Sequence, residues 1–174
     1  MAAIMCAQAL WRAVRPPGRS RAAVKLPAFQ GVAFDHWAAT LARIDGRDLV
    51  IGLDAATYLT VVFPFEPQGQ FRRSFAEALE AALADFGAPE RTGVIESMVV
   101  ETAPLVRLTD PRLASRLKDL KFFCDLELSY HADLRTVQRN LNDLPHGDGE
   151  PFVPADAVTQ LLTRLADLSA PRAH

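Results

Sequence analysis

The feature that most constrains the fold is an Asp-Gly pair between two apolar runs. The runs are His36 to Ile44 and Asp48 to Leu53, and Asp45-Gly46-Arg47 separates them. Asp and Gly both tolerate the positive φ angles that the tight turn of a β-hairpin requires. The sequence therefore predicts two antiparallel strands joined at this turn.

A third strand is predicted directly after the hairpin. Thr57 to Phe63 is rich in β-branched and aromatic residues, and Pro64 ends the run. We therefore expect residues 36–64 to form a three-stranded antiparallel meander. Ahead of it, Ala2 to Cys6 is predicted to form a short strand and Gln8 to Val14 a short helix.

Helical periodicity dominates residues 70–120. Apolar side chains recur every three or four positions from Gln70 to Phe86, and Gly87 is a suitable C-terminal stop. The elements predicted after it are a helix from 89 to about 100, a strand at 105–108, and a helix from 111 to about 120.

Residues 121–145 are predicted to form a strand followed at once by a helix. Apolar and polar residues alternate from Phe122 to Tyr130, and only Phe123 breaks the period of two. A helix would place Asp125 and Ser129 in one stripe with apolar residues, so the alternation favours a strand. The helix that follows begins after an Asp N-cap and ends at a proline.

Together these elements predict an α+β fold with one domain, because 174 residues suffice for one sizeable core and are few for two. We expect an antiparallel sheet, made of the meander and the strand at 122–130, covered on one face by helices. The predicted parts of this 1–174 domain are a strand, short helix and basic loop (1–34), the meander (36–64), a helical middle (70–120), a strand and helix (121–145) and a C-terminal helix (154–168).

Charge and cysteine content restrict location and partners. A net charge of −2 and a pI near 6.1 give no overall field that would attract nucleic acid or an anionic membrane. No apolar run approaches the roughly 20 residues of a membrane span, so we expect no membrane association. Cys6 and Cys124 lie in apolar runs, which predicts buried thiols in a reducing compartment and a cytoplasmic location.

One region carries charge of a single sign. No acidic residue precedes Asp35, and the region contains five cations that are candidates for phosphate contacts: Arg12, Arg15, Arg19, Arg21 and Lys25. A solvated loop is the plainer interpretation, because these cations are sparse for a nucleic-acid arm.

Two His/Asp pairings are the candidates for metal chemistry, since imidazole and carboxylate suit zinc or a general base with its orienting acid. They are His131 with Asp133 and His146 with Asp148. Their spacing matches no recognised motif, Asp133 is explained as a helix cap, and Asp148 lies in a Gly-rich turn. The sequence also lacks nucleophile and phosphate-loop motifs. We therefore predict no catalytic residues, no metal and no cofactor.

Several short segments resemble a known family. They are W-A-A-T-L at 37–41, D-A-A-T-Y-L at 54–59 and R-N-L-N-D-L-P at 139–145. In this order they resemble a family of uncharacterised bacterial proteins, catalogued as a domain of unknown function, over the chain from about Ile4 to Pro145. The family block R-S-V-L-G-S-M-N-D corresponds to P-R-L-A-S-R-L-K-D at 111–119, which keeps Asp119 and the apolar character of Leu113 and Leu117. The resemblance implies a small bacterial α+β domain, makes Asp119 a candidate site residue, and supplies no activity.

We therefore predict a non-enzymatic protein-interaction or regulatory module. Its partner would be another protein or a second copy joined through unpaired strand edges. Two alternatives stay open: a nucleic-acid-binding accessory protein using the basic N-terminal region, and a metal-dependent hydrolase using the His131, Asp133, His146 and Asp148 set.

Overall fold

The structure is a computed structural model that describes residues 2–14, 33–34, 36–66, 69–131, 133–146 and 151–169. It contains five strands and six helices in the described residues. In order they are β1 (Ala3–Cys6), α1 (Gln8–Val14), β2 (His36–Ile44), β3 (Arg47–Asp54), β4 (Thr60–Pro64), α2 (Phe71–Asp85), α3 (Glu90–Thr102), β5 (Leu105–Arg107), α4 (Pro111–Tyr130), α5 (Leu134–Asp143) and α6 (Pro154–Ser169).

The five strands form one mixed sheet in the order β4-β3-β2-β1-β5. β2, β3 and β4 are antiparallel neighbours, which confirms the meander, whereas β1 pairs in parallel with both β2 and β5. The α+β class is therefore confirmed, and the prediction of a purely antiparallel sheet is wrong. Parallel neighbours need a crossover connection, and helix α1 lies in the one between β1 and β2.

The Asp-Gly turn forms as the sequence predicts. Asp45 and Gly46 have φ angles of 48° and 73°, so both central residues are left-handed, as in a type I′ turn. Ile44 pairs with Arg47 across the two-residue loop, and the register continues to Trp37 opposite Asp54. The hairpin is thus confirmed along its whole length.

The third strand begins three residues later than predicted because a tight turn occupies its start. The Asp54 carboxylate accepts hydrogen bonds from the backbone N–H groups of Ala56 (3.1 Å) and Thr57 (2.8 Å). Tyr58 then has a φ of 59°, which a strand residue does not adopt. Side-chain competition for the backbone therefore delays β4 to Thr60.

Helices cover both faces of the sheet, so the prediction of a single covered face is also wrong. One buried cluster joins the sheet to α1, α2, α3 and α6, with the Trp37 and Phe75 rings 5.0 Å apart near its centre. The other joins the opposite face to α4 and α5. Alternate residues of β3 serve the two cores, with Val50 in the first and Leu49 and Ile51 in the second.

Helix α5 covers the outer edge of β4. The side chain of Asn142 accepts from the N–H of Thr60 (2.8 Å) and donates to its carbonyl (2.9 Å), while Gln138 accepts from the N–H of Val62 (2.9 Å). Pro64 has no N–H to offer. These contacts occupy three of the groups through which another strand would pair: the N–H and carbonyl of Thr60 and the N–H of Val62. A second copy that paired at β4 would have to displace these side chains.

Gly52 provides a test of the first core. A Cβ atom added there would lie 2.7 Å from Cζ of Phe75 and 2.9 Å from Cγ2 of Val61. We expect Gly52→Ala to lower the free energy of unfolding by about 1–3 kcal/mol through overpacking, as measured by chemical denaturation. Gly93→Ala is the control, since its Cβ meets only the flexible Glu80 side chain at 3.3 Å within helix α3. Gly93→Ala should raise the free energy of unfolding by roughly 0.5–1 kcal/mol. A loss of stability in Gly93→Ala equal to that in Gly52→Ala would contradict this explanation.

Candidate interaction surface

Residues 111–130 form one continuous helix, α4, so the strand predicted at 122–130 is wrong. The Asp110 side chain caps the helix by accepting from the N–H of Arg112 (2.8 Å), and Pro111 occupies the first turn. The helix then runs for 20 residues and ends where His131 takes an extended conformation. The predicted start at Pro111 is confirmed and the predicted end is ten residues too early.

The alternation that indicated a strand arises from two helical rows. The core row is spaced by four, three, four and four residues: Leu113, Leu117, Leu120, Cys124 and Leu128. A second row, Phe122, Leu126 and Tyr130, is also spaced by four but is offset by two residues from Cys124 and Leu128. Residues two apart lie about 200° apart around a helix, so the rows occupy opposite sides. Read along the chain, two such rows produce a period of two.

The second row is exposed, and it makes α4 unusual in this molecule. Phe122 is 65% exposed, Leu126 42% and Tyr130 75%, while the adjacent Phe123 is 36% exposed. We call these four residues the α4 stripe. Half of the large hydrophobic side chains that are exposed in the described part of the chain belong to it. Isolated exposed apolar residues are ordinary, whereas a contiguous set of them on one helix face is uncommon on a monomeric protein.

Charge is distributed unevenly along α4. Four cations and one acid precede the α4 stripe in the helix: Arg112, Arg116, Lys118, Lys121 and Asp119. Only acids, Asp125 and Glu127, accompany its C-terminal half. The helix therefore has a basic half and an acidic half on either side of Phe122 and Phe123.

Helix α5 holds α4 in place from the side. Nδ2 of Asn140 donates to the Glu127 carboxylate (2.6 Å), and Nε2 of His131 lies 3.7 Å from the same carboxylate. Asp133 caps α5, accepting from the N–H of Arg135 and from both the N–H and the hydroxyl of Thr136. These hydrogen bonds, led by that from the Thr136 hydroxyl, lower the pKa of Asp133. The predicted capping role of Asp133 is confirmed.

A cavity of about 640 Å³ lies beside the α4 stripe, where the end of α5 approaches α4. Its lining combines charged, aromatic and imidazole groups: Arg116, Lys118, Asp119, Phe122, Phe123, Leu144, Pro145 and His146. His146 is 93% buried by accessible area, being 7% exposed. Burial lowers its pKa, the nearby Arg116 lowers it further, and Asp119 acts in the opposite direction.

The candidate residues from the sequence are only partly brought together. Asp119 and His146 line one cavity, which sequence spacing could not predict because 26 positions separate them. His131 and Asp133 lie at the other end of α5, about 15 Å along the helix from His146 at 1.5 Å per residue. Asp148 lies outside the described residues. Within the described ranges, no group of three or more His, Cys, Asp or Glu side chains is arranged to hold a metal ion.

The basic N-terminal set is represented in the described residues by Arg12 alone, which is exposed on α1. Arg15, Arg19, Arg21 and Lys25 lie outside the described residues. Cys6 and Cys124 are free and buried, as predicted. Burial raises the pKa of Cys6 to about 12 and that of Cys124 to about 11, so neither thiol ionises near neutral pH.

The fold and this surface define a class of protein: a small α+β domain with a mixed sheet between two helical layers and an exposed apolar helix face. None of the helices in the described ranges is long and apolar enough to cross a membrane. Residues 3–157 match the family described as Domain of unknown function (DUF6933), and the chain belongs to this family. A comparison with curated proteins finds no match. The matched range includes helices α4 and α5 and the residues that line the cavity.

Replacing His146 gives a prediction about stability. Its Nε2 atom is buried and has no hydrogen-bond partner among the described residues, and such a group costs about 1–3 kcal/mol. We expect His146→Phe to raise the free energy of unfolding by about 1 kcal/mol at neutral pH, because phenylalanine fills a similar volume without a polar atom.

The same variant should change the pH dependence of stability. The folded-state pKa of His146 lies below its ordinary 6.5, so the unfolded chain binds more protons and stability falls as pH drops through about 6.5. Thermal melts from pH 7.5 to pH 5 should therefore show a smaller loss for His146→Phe than for wild type. Identical pH profiles for the two proteins would contradict this interpretation of His146.

Proposed function

We propose that this protein is a non-enzymatic interaction module and that it binds its partner through the α4 stripe. The carrying observation is the set of exposed aromatic and apolar side chains on a helix that is otherwise well packed. Burial of such a face releases about 25 cal/mol for each Å² of apolar surface removed from water. Aromatic residues of this kind are also the ones that contribute most at protein interfaces.

A second copy of the chain is the partner that the charges favour. If two α4 helices pair antiparallel about a two-fold axis, the basic half of each faces the acidic half of the other. With the axis between Phe122 and Leu126, Phe122 of one copy packs on Leu126 of the other. Lys121 then lies within one turn of Asp125 of the second copy, and Lys118 lies opposite its Tyr130.

The sheet offers less for self-association than the helix. Asn142 and Gln138 occupy three of the outer hydrogen-bonding groups of β4, and β5 at the other edge has three residues. A helix face that is apolar at its centre and charged at both ends suits an isologous dimer better than either edge. The buried thiols of Cys6 and Cys124 suit a reducing environment, so the proposed location of this dimer is the cytoplasm.

Sedimentation velocity of the wild-type protein tests this proposal. Over concentrations on the order of 1–200 µM, the mass should rise from 19.1 kDa towards that of a dimer and stop there. The dimer should weaken as salt increases, because facing charges at the rim contribute to it. A protein that stays at 19.1 kDa throughout, or that forms open-ended assemblies, would contradict the proposal.

A further inference from the structure

The last part of strand β4 keeps hydrogen-bonding groups that helix α5 does not occupy. The N–H of Phe65 donates to the carbonyl of Asp48 on β3 (2.8 Å), so the alternate residues Val62 and Pro64 face outward. Gln138 takes up the N–H of Val62, and Pro64 has no N–H. The carbonyl oxygens of Val62 and Pro64 accept no hydrogen bond from another described residue. Unpaired groups at a strand edge are where an extended peptide adds to a sheet.

The side chain of Gln138 presents an unused donor at the same place. Gln138 is 8% exposed, and it lines a second cavity, of about 360 Å³, between α2, β4 and α5. Its Oε1 atom accepts from the N–H of Val62 (2.9 Å), which fixes the orientation of the amide because the NH₂ end cannot accept. Its Nε2 atom has no partner within the described residues, and it is not sealed from solvent as Nε2 of His146 is. A largely buried amide with a free donor in an open cavity indicates a ligand that supplies the acceptor.

The charges around this cavity leave one carboxylate in excess. Arg73 pairs with Glu77 (2.9 Å), and Arg135 pairs with Asp85. Glu66 lines the cavity and is exposed, and within the described ranges it forms no ion pair, although Arg73 lies within its electrostatic range. Two further charges of opposite sign act on these pairs from a longer distance: Glu101 on Arg73 and Arg139 on Asp85. The surroundings therefore complement a single positive charge.

The spacing of these groups fits a peptide better than a small cation. At about 3.3 Å per residue, the chain from Val62 to Glu66 spans roughly 13 Å when extended, which three or four peptide residues cover. The walls beside it include the apolar side chains of Ala78, Ala81 and Leu134. A peptide backbone donates to the β4 carbonyls and accepts from Gln138 at once, whereas an ammonium ion has no acceptor.

We propose that this cavity, the β4 groove, binds a short extended peptide that contains one lysine or arginine. Its N–H groups donate to the carbonyls of Val62 and Pro64, and one of its carbonyls accepts from Nε2 of Gln138. The basic side chain pairs with Glu66. This site goes beyond the proposed self-association, because none of the residues that line the groove lies on α4.

The test is an NMR titration of the full-length ¹⁵N-labelled protein with the capped peptide acetyl-Val-Thr-Lys-Val-amide. The same peptide with Glu in place of Lys reverses the charge, and n-butylamine supplies the cation without a backbone. The lysine peptide should shift the side-chain NH₂ resonances of Gln138 saturably, with a dissociation constant below about 1 mM and at least about tenfold tighter binding than either comparison. Equal binding of n-butylamine would overturn the assignment to a peptide. Equal binding of the Glu peptide, or no saturable shift with the lysine peptide, would overturn the proposal.

Two pairs of variants on exposed positions separate binding from folding. Glu66→Gln should weaken binding of the lysine peptide at least about fivefold, whereas Glu80→Gln, an exposed acid of α2 outside the groove lining, should leave it unchanged. Ala81→Trp fills the groove and should abolish binding, whereas Ala84→Trp, also exposed on α2 but outside the lining, should not. All four variants should melt close to wild type. Equal binding within either pair would contradict this site.

Discussion

Leu126→Asp is expected to leave the protein folded and to abolish its self-association. Leu126 is 42% exposed at the centre of the α4 stripe and makes no contribution to the buried row of α4. In the antiparallel pair its side chain would lie against Phe122 of the second copy. Because the pair is two-fold symmetric, the substitution would bury two carboxylates, one in each of two apolar contacts. We expect the dimer to weaken by at least about 100-fold, equivalent to roughly 2.7 kcal/mol.

The matched control for this change is Met98→Asp. Met98 is 53% exposed on α3, which belongs to the opposite helical layer, so the same substitution removes a comparable apolar side chain from another face. Sedimentation equilibrium of the two variants should give a dissociation constant near that of wild type for Met98→Asp and a monomer for Leu126→Asp. Equal effects of the two changes would mean that the α4 stripe is not the interface.

Asn142→Leu is expected to destabilise the fold strongly. Asn142 is 2% exposed, and its side chain makes three hydrogen bonds, to the N–H and carbonyl of Thr60 and to the carbonyl of Gln138. Leucine matches its size but leaves the Thr60 groups buried without partners. We expect the free energy of unfolding to fall by about 3–4 kcal/mol, and the newly open β4 edge to promote aggregation.

Asp143→Leu serves as the control, because Asp143 follows Asn142 on the same helix but is exposed. Its effect on stability should stay within about 0.5 kcal/mol. Urea denaturation gives the difference directly, and light scattering at neutral pH reports the aggregation. Similar stabilities for the two variants would show that covering the β4 edge contributes little to the fold.

The parts of the fold that local sequence determines were predicted well. The Asp45-Gly46 turn requires positive φ at both positions, and few other conformations suit that pair, so the hairpin follows from two residues. Helix α2 follows from its row of phenylalanines and leucines with Gly87 after it. In both cases the tertiary structure only completes what the local pattern specifies.

The strand predicted at 122–130 is wrong because not all of its apolar residues belong to the core. Phe122, Leu126 and Tyr130 are apolar yet exposed, and together with Cys124 and Leu128 they imitate the period of a strand. Apolar periodicity predicts burial, so an exposed apolar face on a helix has the same sequence pattern as a second buried face. The feature that misled the secondary-structure prediction is thus the one on which the proposed function rests.

The cavity was beyond prediction for a different reason. The sequence makes Asp119 and His146 candidates for separate reasons, because nothing local links the two residues that line this cavity. The strand error also placed residues 122–130 in the sheet, which removed the helix face that forms one wall. Sites built from long-range contacts depend on correct packing, and one wrong element is enough to hide them.

The measurement that tests antiparallel self-pairing most directly is native mass spectrometry of two charge-swapped variants, Lys121→Glu and Asp125→Lys. Each variant alone places like charges opposite one another at two symmetric positions and should self-associate at least about tenfold more weakly than wild type. Mixed in equal amounts, they place opposite charges together again. The predicted result is that the mixture yields a heterodimer as its main species. If both variants dimerise as wild type does, or if their mixture stays monomeric, the antiparallel pairing through α4 is contradicted.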